Sequence, residues 1–424
     1  MLLLKKRNPQ AGKKKKVILP KNNLIKLYRM PSHLNIVFMG TPEIAAESLY
    51  RVLELEKLGI INLKSVYTKP PVWNNKKKEF IISPTEQLAK MRGIKVRTPE
   101  RLKDNLEETD FLKSLELDLI IIVAFGLILP SEIIKIPKYG VLNLHPSLLP
   151  DLRGPSPIHY AILKRMKFSG ISIMAMDAGI DTGPVAAQQI IEIDKDESYS
   201  SLYKRMSSAG SLLLSEVIAT VFKFKINMLK CGMSQDSPAM RFSGLTKQVR
   251  QEDLKVDFFT GDPLDIYAKC RAFTEAGSAY FIFKNKNVKI IEARLIVDED
   301  EGWIKNECFC EAEHEVEPER EERTRSGVYA YTAKNFMSDE IKRVFGYCDY
   351  AGCFSDNLRG ELKKITFEAL PGTIVTAGKQ ALLVSTVKKG VYIHLLRLKP
   401  EGKNAVSYLE FINGFRIKAG DLCR

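Results

Sequence analysis

Residues 118–126, with the sequence DLIIIVAFG, constrain the fold of this chain more than any other segment. An unbroken run of β-branched residues is typical of a strand that is buried on both faces of a parallel sheet. Apolar runs at 33–40 and 63–68 predict two further strands, and charged, helix-like segments alternate with all three. This alternation predicts an α/β fold with a Rossmann-like, doubly wound sheet. At 45% hydrophobic content, 424 residues are enough for more than one domain.

The first predicted strand ends in a turn that resembles a helix start. Gly40 is followed by Thr41-Pro42-Glu43. Thr41 as the N-cap, Pro42 as the first helical residue and Glu43 in the first turn predict a helix that runs to about Leu58. A glycine turn between a strand and a helix is common in nucleotide-binding folds, but G-x-G-x-x-G is absent here, so a bound dinucleotide is poorly supported.

A later strand, within residues 140–145, carries the first candidate site residues. The run GVLNLH places Asn143 and His145 two positions apart, and the proline- and glycine-rich turn PSLLPDLRGPSP follows it. Residues at i and i+2 of a strand project from the same face. Open α/β sheets bind their ligands at the carboxyl ends of their strands, and both side chains lie near such an end.

A second loop supplies an acid. The predicted strand 170–176 leads into residues 177–184, DAGIDTGP, which contain two glycines and two acids. We expect Asp181 to meet Asn143 and His145, because the two loops leave the ends of adjacent strands. Each residue also has a simpler interpretation, since asparagine and aspartate often form turns and a lone histidine is often structural.

Together, Asn143, His145 and Asp181 are suited to transferring an acyl or formyl group to an amine. The amide of Asn143 and a protonated His145 can donate hydrogen bonds to an oxygen that becomes negative in a tetrahedral intermediate. A neighbouring Asp181 would raise the pKa of His145 and fix its orientation. The ionised carboxylate could also take the proton from the attacking amine.

The positive charge of the chain is concentrated in a few segments. Residues 1–42 contain ten lysines and arginines and no acid. Such a basic, acid-poor start is consistent with an organelle-targeting extension, for example a mitochondrial one, although those segments favour arginine over lysine. A disordered basic tail and a nuclear or nucleic-acid-binding patch are the alternatives.

Residues 69–83, KPPVWNNKKKEFIIS, interrupt the alternation of strands and helices and are predicted to form a loop. Lys76, Lys77 and Lys78 could bind phosphates, and the aromatic residues Trp73 and Phe80 could stack on a base. The alternative is a solvated loop, since runs of charge often simply face water.

The second half of the chain predicts a separate, basic domain. Short alternating strands and glycine turns in residues 279–296 and 372–424 predict a small β-barrel of the OB type, and residues 363–424 contain eleven basic residues against four acids. This charge favours a nucleic-acid partner, although it also serves solubility. We predict the following division: a basic extension at 1–33, a catalytic domain at 34–226, a linker at 227–250, and a C-terminal domain at 251–424 with an acidic insertion at about 298–357.

Cysteine content and hydropathy argue against other classes of protein. Seven scattered cysteines do not form a typical disulfide framework. Cys308, Cys310 and His314 lack the usual zinc spacing, so free thiols are favoured and no metal is expected. The longest apolar run is too short for a membrane span, and no compact signal-peptide core is present, which predicts neither a membrane nor a secreted protein.

Three motifs relate the chain to a known family: NLHPSLLP at 143–150, RGPSPI at 153–158 and DAGIDTG at 177–183. They resemble the folate-dependent formyltransferases. The resemblance implies that Asn143, His145 and Asp181 are catalytic and that 10-formyltetrahydrofolate is the formyl donor. It further implies that the folate site is lined by Ser147, Leu148, Leu149 and Pro150.

Matches nearer the C-terminus, RAF at 271–273, GKNA at 402–405 and FING at 411–414, favour family members that act on tRNA. They imply initiator methionyl-tRNA as the acceptor, a role in translation initiation in an organelle, and Lys76, Lys77 and Lys78 as tRNA-binding residues. We expect a monomer. Lys76 stands where those members commonly have arginine, which puts the grip on the acceptor end in question because lysine lacks the planar fork of arginine.

Three other functions fit parts of the same pattern. A folate-dependent small-amine formyltransferase and a 10-formyltetrahydrofolate hydrolase would use the same three side chains, but neither needs a basic loop or a basic C-terminal domain. A non-catalytic RNA-binding protein on this scaffold would not need Asn143, His145 and Asp181 together.

Overall fold

The computed structural model describes residues 33–75, 77–236, 244–274, 277–297 and 369–424. Several predictions fall outside these ranges and concern the basic extension, the acidic insertion, Lys76, and the group Cys308, Cys310 and His314. The predicted domain boundaries stay predictions.

The described residues form two sheets, a small hairpin and the helices around them. The strands are β1 (Leu34–Gly40), β2 (Ile61–Tyr67), β3 (Val72–Asn74), β4 (Glu79–Ile81), β5 (Val96–Arg97), β6 (Leu119–Val123), β7 (Val141–His145), β8 (Phe168–Ala175), β9 (Val185–Glu192), β10 (Tyr280–Phe283), β11 (Lys286–Val297), β12 (Ile374–Ala377), β13 (Leu382–Ser385), β14 (Val391–Pro400) and β15 (Val406–Ser407). The helices are α1 (Glu43–Lys57), α2 (Pro84–Met91), α3 (Leu106–Ser114), α4 (Ser131–Ile134), α5 (Pro157–Leu163), α6 (Tyr199–Phe224), α7 (Met228–Cys231), α8 (Pro263–Ala272) and α9 (Tyr408–Phe415), with a 3-10 helix at Gln251–Leu254.

The first sheet has seven strands in the order β5-β2-β1-β6-β7-β8-β9. The strands from β5 to β7 are parallel, whereas β7 pairs with β8, and β8 with β9, in antiparallel fashion. The strand order reverses between β1 and β6, the kind of switch point at which open α/β sheets bind ligands. The predicted Rossmann-like α/β fold is confirmed, but strand β9 is not predicted from the sequence pattern.

Two hydrophobic layers cover this sheet. On one face, α1 and α6 pack over alternate residues of β1, β6 and β7, including Leu142 and Leu144. On the other face, the segments around α3 and α4 pack over the intervening residues, and Val141 is the last strand residue of that cluster. Because side chains alternate along a strand, Asn143 and His145 share the face of Val141. They lie where the second layer ends.

The start of α1 differs from the prediction. Pro42, not Thr41, is the N-cap, and it makes no side-chain capping bond. The Thr41 hydroxyl instead donates to the carbonyl oxygen of Phe125, at 2.8 Å, in the segment that follows β6. Thr41 therefore ties the ends of two neighbouring strands together at the switch point.

The second sheet is antiparallel, in the order β10-β11-β14-β13-β12, with β15 paired to β14. The last residues of the chain join its two edges, since Asp421 and Cys423 bond to the backbone beside and within β12, and Arg424 exchanges backbone hydrogen bonds with Ile282 of β10. The expected small barrel domain is thus an antiparallel half-barrel. Helix α9 begins at Tyr408, directly after Ser407, because Ser407 and Glu410 form a capping box.

Helix α6 is long and apolar enough to cross a membrane by length and composition. Nine of its residues are buried, and Leu202, Met206, Leu214 and Ile218 belong to the cluster that covers the sheet. These contacts account for its apolar composition in a core helix. The predicted lack of a membrane partner stays a prediction.

A buried ion pair fixes the far edge of the first sheet. Glu108 of α3, 8% exposed, accepts hydrogen bonds from Arg97 Nε at 2.6 Å and from Tyr67 Oη at 2.7 Å. Arg97 also donates to the exposed carboxylate of Glu107, at 2.8 Å. Burial and the neighbouring carboxylate both raise the pKa of the Tyr67 hydroxyl, so it remains a donor. This network attaches α3 to β2 and β5.

The network predicts different results for two adjacent substitutions. Glu108→Gln should lower the free energy of unfolding by about 1.5–3 kcal/mol, because it removes a buried charge-assisted pair. The matched variant Glu107→Gln removes a carboxylate that is 83% exposed and should change stability by less than about 0.5 kcal/mol. Urea denaturation at pH 7 measures both values. Equal effects of the two variants would contradict the assigned role of Glu108.

Candidate active site

Strand β7 places Asn143 and His145 on one face of the sheet, next to β8. Asn143 lies opposite Met174, and His145 lies opposite Ser172. The hydrophobic layer around α3 and α4 on this face reaches Val141 of β7 and includes no later residue of β7 and no residue of β8. Two loops cover it instead, residues 146–156 after β7 and residues 176–184 between β8 and β9. The candidate site is the space where these loops meet the strand.

The His145 ring is buried, with 5% of its surface exposed. Its Nε2 lies 3.1 Å from the carbonyl oxygen of Leu152, in the turn that follows the strand. A carbonyl oxygen only accepts hydrogen bonds, so Nε2 carries a proton and donates it to Leu152. In the neutral ring, Nδ1 is then the basic nitrogen.

Asp181 lies on the Nδ1 side of the ring, with Oδ2 at 3.6 Å from Nδ1. The same oxygen accepts a hydrogen bond from the backbone N–H of Gly154, at 2.8 Å. Asp181 has a left-handed backbone conformation, with φ of 52°. Aspartate tolerates this region better than most residues, which allows the sharp turn that brings its side chain inward.

The route by which Asp181 reaches His145 differs from the prediction. Because β8 runs antiparallel to β7, Ala175 lies beside Leu142 and the end of β8 is near the start of β7. The carboxyl end of β8 therefore lies at the opposite end of the strands from the carboxyl end of β7. Asp181 follows Met176 by five positions, and an extended chain of that length reaches about 17 Å. The loop uses this reach to fold back over the sheet face.

The pKa of His145 also differs from the prediction. Burial lowers it, and this effect exceeds the attraction of Asp181 and the hydrogen bond to Leu152, which both raise it. Desolvation penalises the charged imidazolium more than a carboxylate without direct hydrogen-bond contact compensates. His145 is consequently neutral near pH 7, with a basic Nδ1, rather than the protonated donor expected from the sequence.

Asn143 differs from its neighbours in the hydrogen bonding of its side-chain amide. It is half-buried, and no group in the described ranges forms a hydrogen bond with its side chain. An amide nitrogen offers two donors. Asn143 lies two residues before His145 on the same face, so its two donors are available to a bound carbonyl oxygen.

The four residues predicted to line the folate site form a tight turn after β7. Ser147 and Leu149 are buried, and the Ser147 hydroxyl donates to the carbonyl oxygen of Asp151 at 2.6 Å. Leu149 packs with Met174 and Val185. Leu148 packs against Gly170, where an added Cβ would lie 2.5 Å from Leu148 Cδ2. The Leu149–Pro150 peptide is cis. The turn shapes the site, and direct contact of these residues with a folate stays a prediction.

Several polar residues that support the two loops were missed in the sequence. Gln235 donates to the carbonyl oxygens of Asp181 and Gly183 at 2.9 and 2.7 Å, and accepts from Arg153 at 2.8 Å. Gln188 donates to the Leu149 carbonyl oxygen at 2.8 Å. Gln235 lies in the predicted linker, where no pattern identifies it. Arg153 is the first residue of the motif RGPSPI, which was the one sequence signal for this group of supporting residues.

Residues 72–74 and 79–81 form a hairpin, β3–β4, where the sequence predicted a loop, and Lys77 and Lys78 lie near its tip. Trp73 pairs with Phe80 across the hairpin. Lys77 and Lys78 are exposed, and Lys77 lies 3.8 Å from the carboxylate of Glu79. The predicted tRNA-binding role of Lys77 and Lys78 stays a prediction, as does that of Lys76. Within the described ranges, no group of three or more His, Cys, Asp or Glu side chains could hold a metal ion.

Comparison with known proteins relates the chain to one family. The model of the formyl transferase family matches residues 34–218, and that of the formyl transferase C-terminal domain matches residues 248–305. Methionyl-tRNA formyltransferase of Clostridium tetani is 35% identical over 263 residues, 62% of this chain and 81% of the relative. The enzyme of the same name from Caldicellulosiruptor saccharolyticus is 29% identical over 389 residues, 92% of this chain and 99% of the relative.

Solved structures show the same fold. HypX from Aquifex aeolicus is similar over 92% of this chain and 49% of its own, with a TM-score of 0.51 and 14% identity. A complex of HypX with tetrahydrofolic acid aligns with a TM-score of 0.50 and 14% identity over 93% of this chain and 51% of its own. At this identity the likeness concerns the fold alone.

The opposing effects on His145 predict the result of removing the neighbouring charge. Asp181→Asn should lower the pKa of His145 further, because Asp181 raises it while burial lowers it. NMR titration of the imidazole resonances measures the change, with His145→Gln to assign the signal. Asp177→Asn is the matched control, since that carboxylate binds Gly179 and Thr182 within the same loop. An unchanged or higher pKa in Asp181→Asn would contradict the pairing.

Proposed function

This chain belongs to the formyl transferase family, and we propose that it transfers the formyl group of 10-formyltetrahydrofolate to the α-amino group of initiator methionyl-tRNA. The observation that carries the proposal is the arrangement on β7, where an uncommitted Asn143 amide lies two residues from a neutral His145 that faces Asp181. Transfer of a formyl group to an amine requires a hydrogen-bond donor for the formyl oxygen, a base, and a carboxylate that stabilises the protonated base.

Asn143 stabilises the developing oxyanion. When the amine attacks, the formyl oxygen becomes negative, and the Asn143 N–H groups can donate to it from a site shielded by two loops. No rearrangement is needed to free these donors, since no described residue uses them. The bound folate supplies an activated formyl group on one of its nitrogens. That nitrogen must gain a proton to leave as a neutral amine.

His145 and Asp181 move that proton. The amine loses a proton on attack, and the neutral Nδ1 of His145 accepts it directly or through Asp181. The imidazolium then faces the Asp181 carboxylate at the present 3.6 Å, which stabilises the charge. The same proton can pass to the departing nitrogen. Leu152 holds Nε2 throughout, so the ring keeps one orientation.

The choice of methionyl-tRNA as the acceptor is supported by the names of the relatives and by charge. Lys77 and Lys78 extend into solvent from the hairpin, and exposed lysines of the half-barrel include Lys286, Lys399, Lys403 and Lys418. Phosphate contacts supply much of the affinity of nucleic-acid binding. We further propose that the protein is a monomer and that it acts in translation initiation in an organelle, such as the mitochondrion, to which its basic N-terminus directs it.

Removing any of the three central groups should abolish most of the activity. Asn143→Ala, His145→Ala and Asp181→Ala should each lower the rate of formyl transfer to methionyl-tRNA by roughly 100-fold or more, because each donor or acid-base group contributes on that scale. Single-turnover assays with 10-formyltetrahydrofolate measure the rate. Near-normal transfer by His145→Ala would exclude the proposed mechanism.

His159 supplies the matched control for these variants. Burial lowers the pKa of His159 to about 4, and its ring stacks on Tyr199 with the centroids 4.1 Å apart. It is therefore a second neutral histidine whose role is packing. His159→Phe keeps the stacking and should leave the rate within about twofold of the parent, since aromatic packing is retained.

The lysines at the hairpin tip should contribute to tRNA affinity rather than to chemistry. Replacing Lys77 and Lys78 by alanine should raise the KM for methionyl-tRNA. It should also reduce the dependence of log kcat/KM on log salt by about one for each phosphate that the variant no longer binds. Lys57→Ala is the control, as this exposed lysine on α1 pairs with Glu54. An unchanged KM and salt slope would remove the tip from the tRNA site.

A further inference from the structure

A large cavity lies at the carboxyl ends of β1 and β2, apart from the catalytic face of β7. Its volume is about 680 Å³, and it lies between the β3–β4 hairpin and the turn that starts α1. Apolar side chains dominate its lining, among them Pro42, Pro70, Val72, Trp73 and Ile81. We refer to it as the hairpin cavity. None of the groups already assigned to formyl transfer lines it.

The hairpin exposes an aromatic pair that core packing does not explain. Trp73 and Phe80 are 49% and 67% exposed, and their rings meet edge to face with centroids 5.1 Å apart. Trp73 lines the hairpin cavity, whereas Phe80 supports it from the neighbouring strand. Clustered exposed apolar side chains mark surfaces that bind something. A flat indole beside a cavity suits a flat ring as its ligand.

Lys69 adds a positive charge to this cavity. Its side chain lies over Gly126, where an added Cβ would come within 2.7 Å of Lys69 Nζ. Among the described residues, the Lys69 ammonium forms no ion pair. Gly126 follows β6, so the side chain crosses from the end of β2, past β1, toward the catalytic side of the sheet. Two strand spacings, about 10 Å, separate β1 from β7.

One acid, Glu43, lies among the lining residues. It sits in the first turn of α1, where an ionised carboxylate is favourable. A carboxylate there would repel a phosphate beside it, but it can accept hydrogen bonds from an amino group or from ribose hydroxyls. The cavity thus presents an aromatic face, a hydrogen-bond acceptor and, on the side nearer His145, an ammonium group.

We propose that the hairpin cavity binds the 3′-terminal nucleotide of the acceptor strand, with its base against Trp73 and its phosphate at Lys69. The inference rests on the proposed function and specifies how that substrate is recognised. A methionine side chain would fill an apolar cavity but has no use for Lys69. A nucleotide uses both the indole and the ammonium, and a base in the cavity leaves about 10 Å for the ribose and aminoacyl ester to span to β7.

Acceptors of decreasing size test the assignment. Formylation kinetics are measured with methionyl-tRNA, with the 3′-methionyl ester of the trinucleotide CCA, and with methionine methyl ester, which has no nucleotide. Trp73→Leu and Lys69→Met should each lower the kcat/KM ratio of trinucleotide to methyl ester by about 10-fold, the scale of a single base stack or a single bound phosphate. Trp73→Phe and the exposed-lysine control Lys223→Met should keep that ratio within about twofold of the parent.

Other outcomes of this comparison overturn the inference. A decrease confined to methionyl-tRNA would show that the hairpin contacts the helical part of the acceptor. An equal decrease with all three acceptors would assign the cavity to the methionine side chain or to support of the catalytic face. No decrease with any acceptor would leave the cavity without a role in acceptor binding.

A binding measurement separates this inference from the proposed reaction. In a Trp303→Phe background Trp73 is the sole tryptophan, because the chain has two. Adenosine 5′-monophosphate should quench its fluorescence saturably, and Lys69→Met should weaken that binding about 10-fold. Saturable quenching in a protein that does not formylate methionyl-tRNA would retain the nucleotide site and reject the proposed function. Absence of saturable quenching would reject the site.

Discussion

The hydrogen bond from His145 to the carbonyl oxygen of Leu152 is the contact on which the catalytic part of the structure depends. To place that oxygen beside Nε2, the chain must turn back directly after β7. The bond from Ser147 to Asp151 closes the turn, and Gly154, two residues beyond Leu152, presents its N–H to Asp181. One turn therefore sets both the tautomer of the histidine and the position of the acid. A shift of the turn would displace both groups together.

Burial gives this site its chemical character. A carboxylate beside a histidine is ordinarily expected to keep the imidazole charged. Here Asp181 stands 3.6 Å away and already accepts a bond from Gly154, so its attraction does not outweigh the loss of hydration. The result is a neutral base that is stabilised as soon as it gains a proton. A permanently charged histidine could not accept the proton of an attacking amine.

The parts of this structure that could be predicted from sequence follow from short-range patterns. The β-branched run in β6 predicts a buried parallel strand, and the two-residue spacing of Asn143 and His145 predicts their common face. The direction of β8 depends on pairing between distant segments, so its antiparallel course and the returning loop had no local signal. Thr41 illustrates the same limit, because its hydroxyl bonds to Phe125, 84 residues away, instead of capping α1. Gln235 likewise bonds to residues that are 52 to 82 positions away.

The strand order separates two tasks that compete for space. On the face of β7, two loops enclose the site and the His145 ring is buried, which favours charge stabilisation but leaves little room for a large substrate. The carboxyl ends of β1 and β2, on the other side of the switch point, open into the hairpin cavity. Lys69 extends from that opening across Gly126 toward the enclosed face. A long acceptor bound at the opening needs to send only its terminal amine into the enclosed site. Formyl transfer and acceptor recognition can therefore both take place along the carboxyl ends of the parallel strands without interfering with each other.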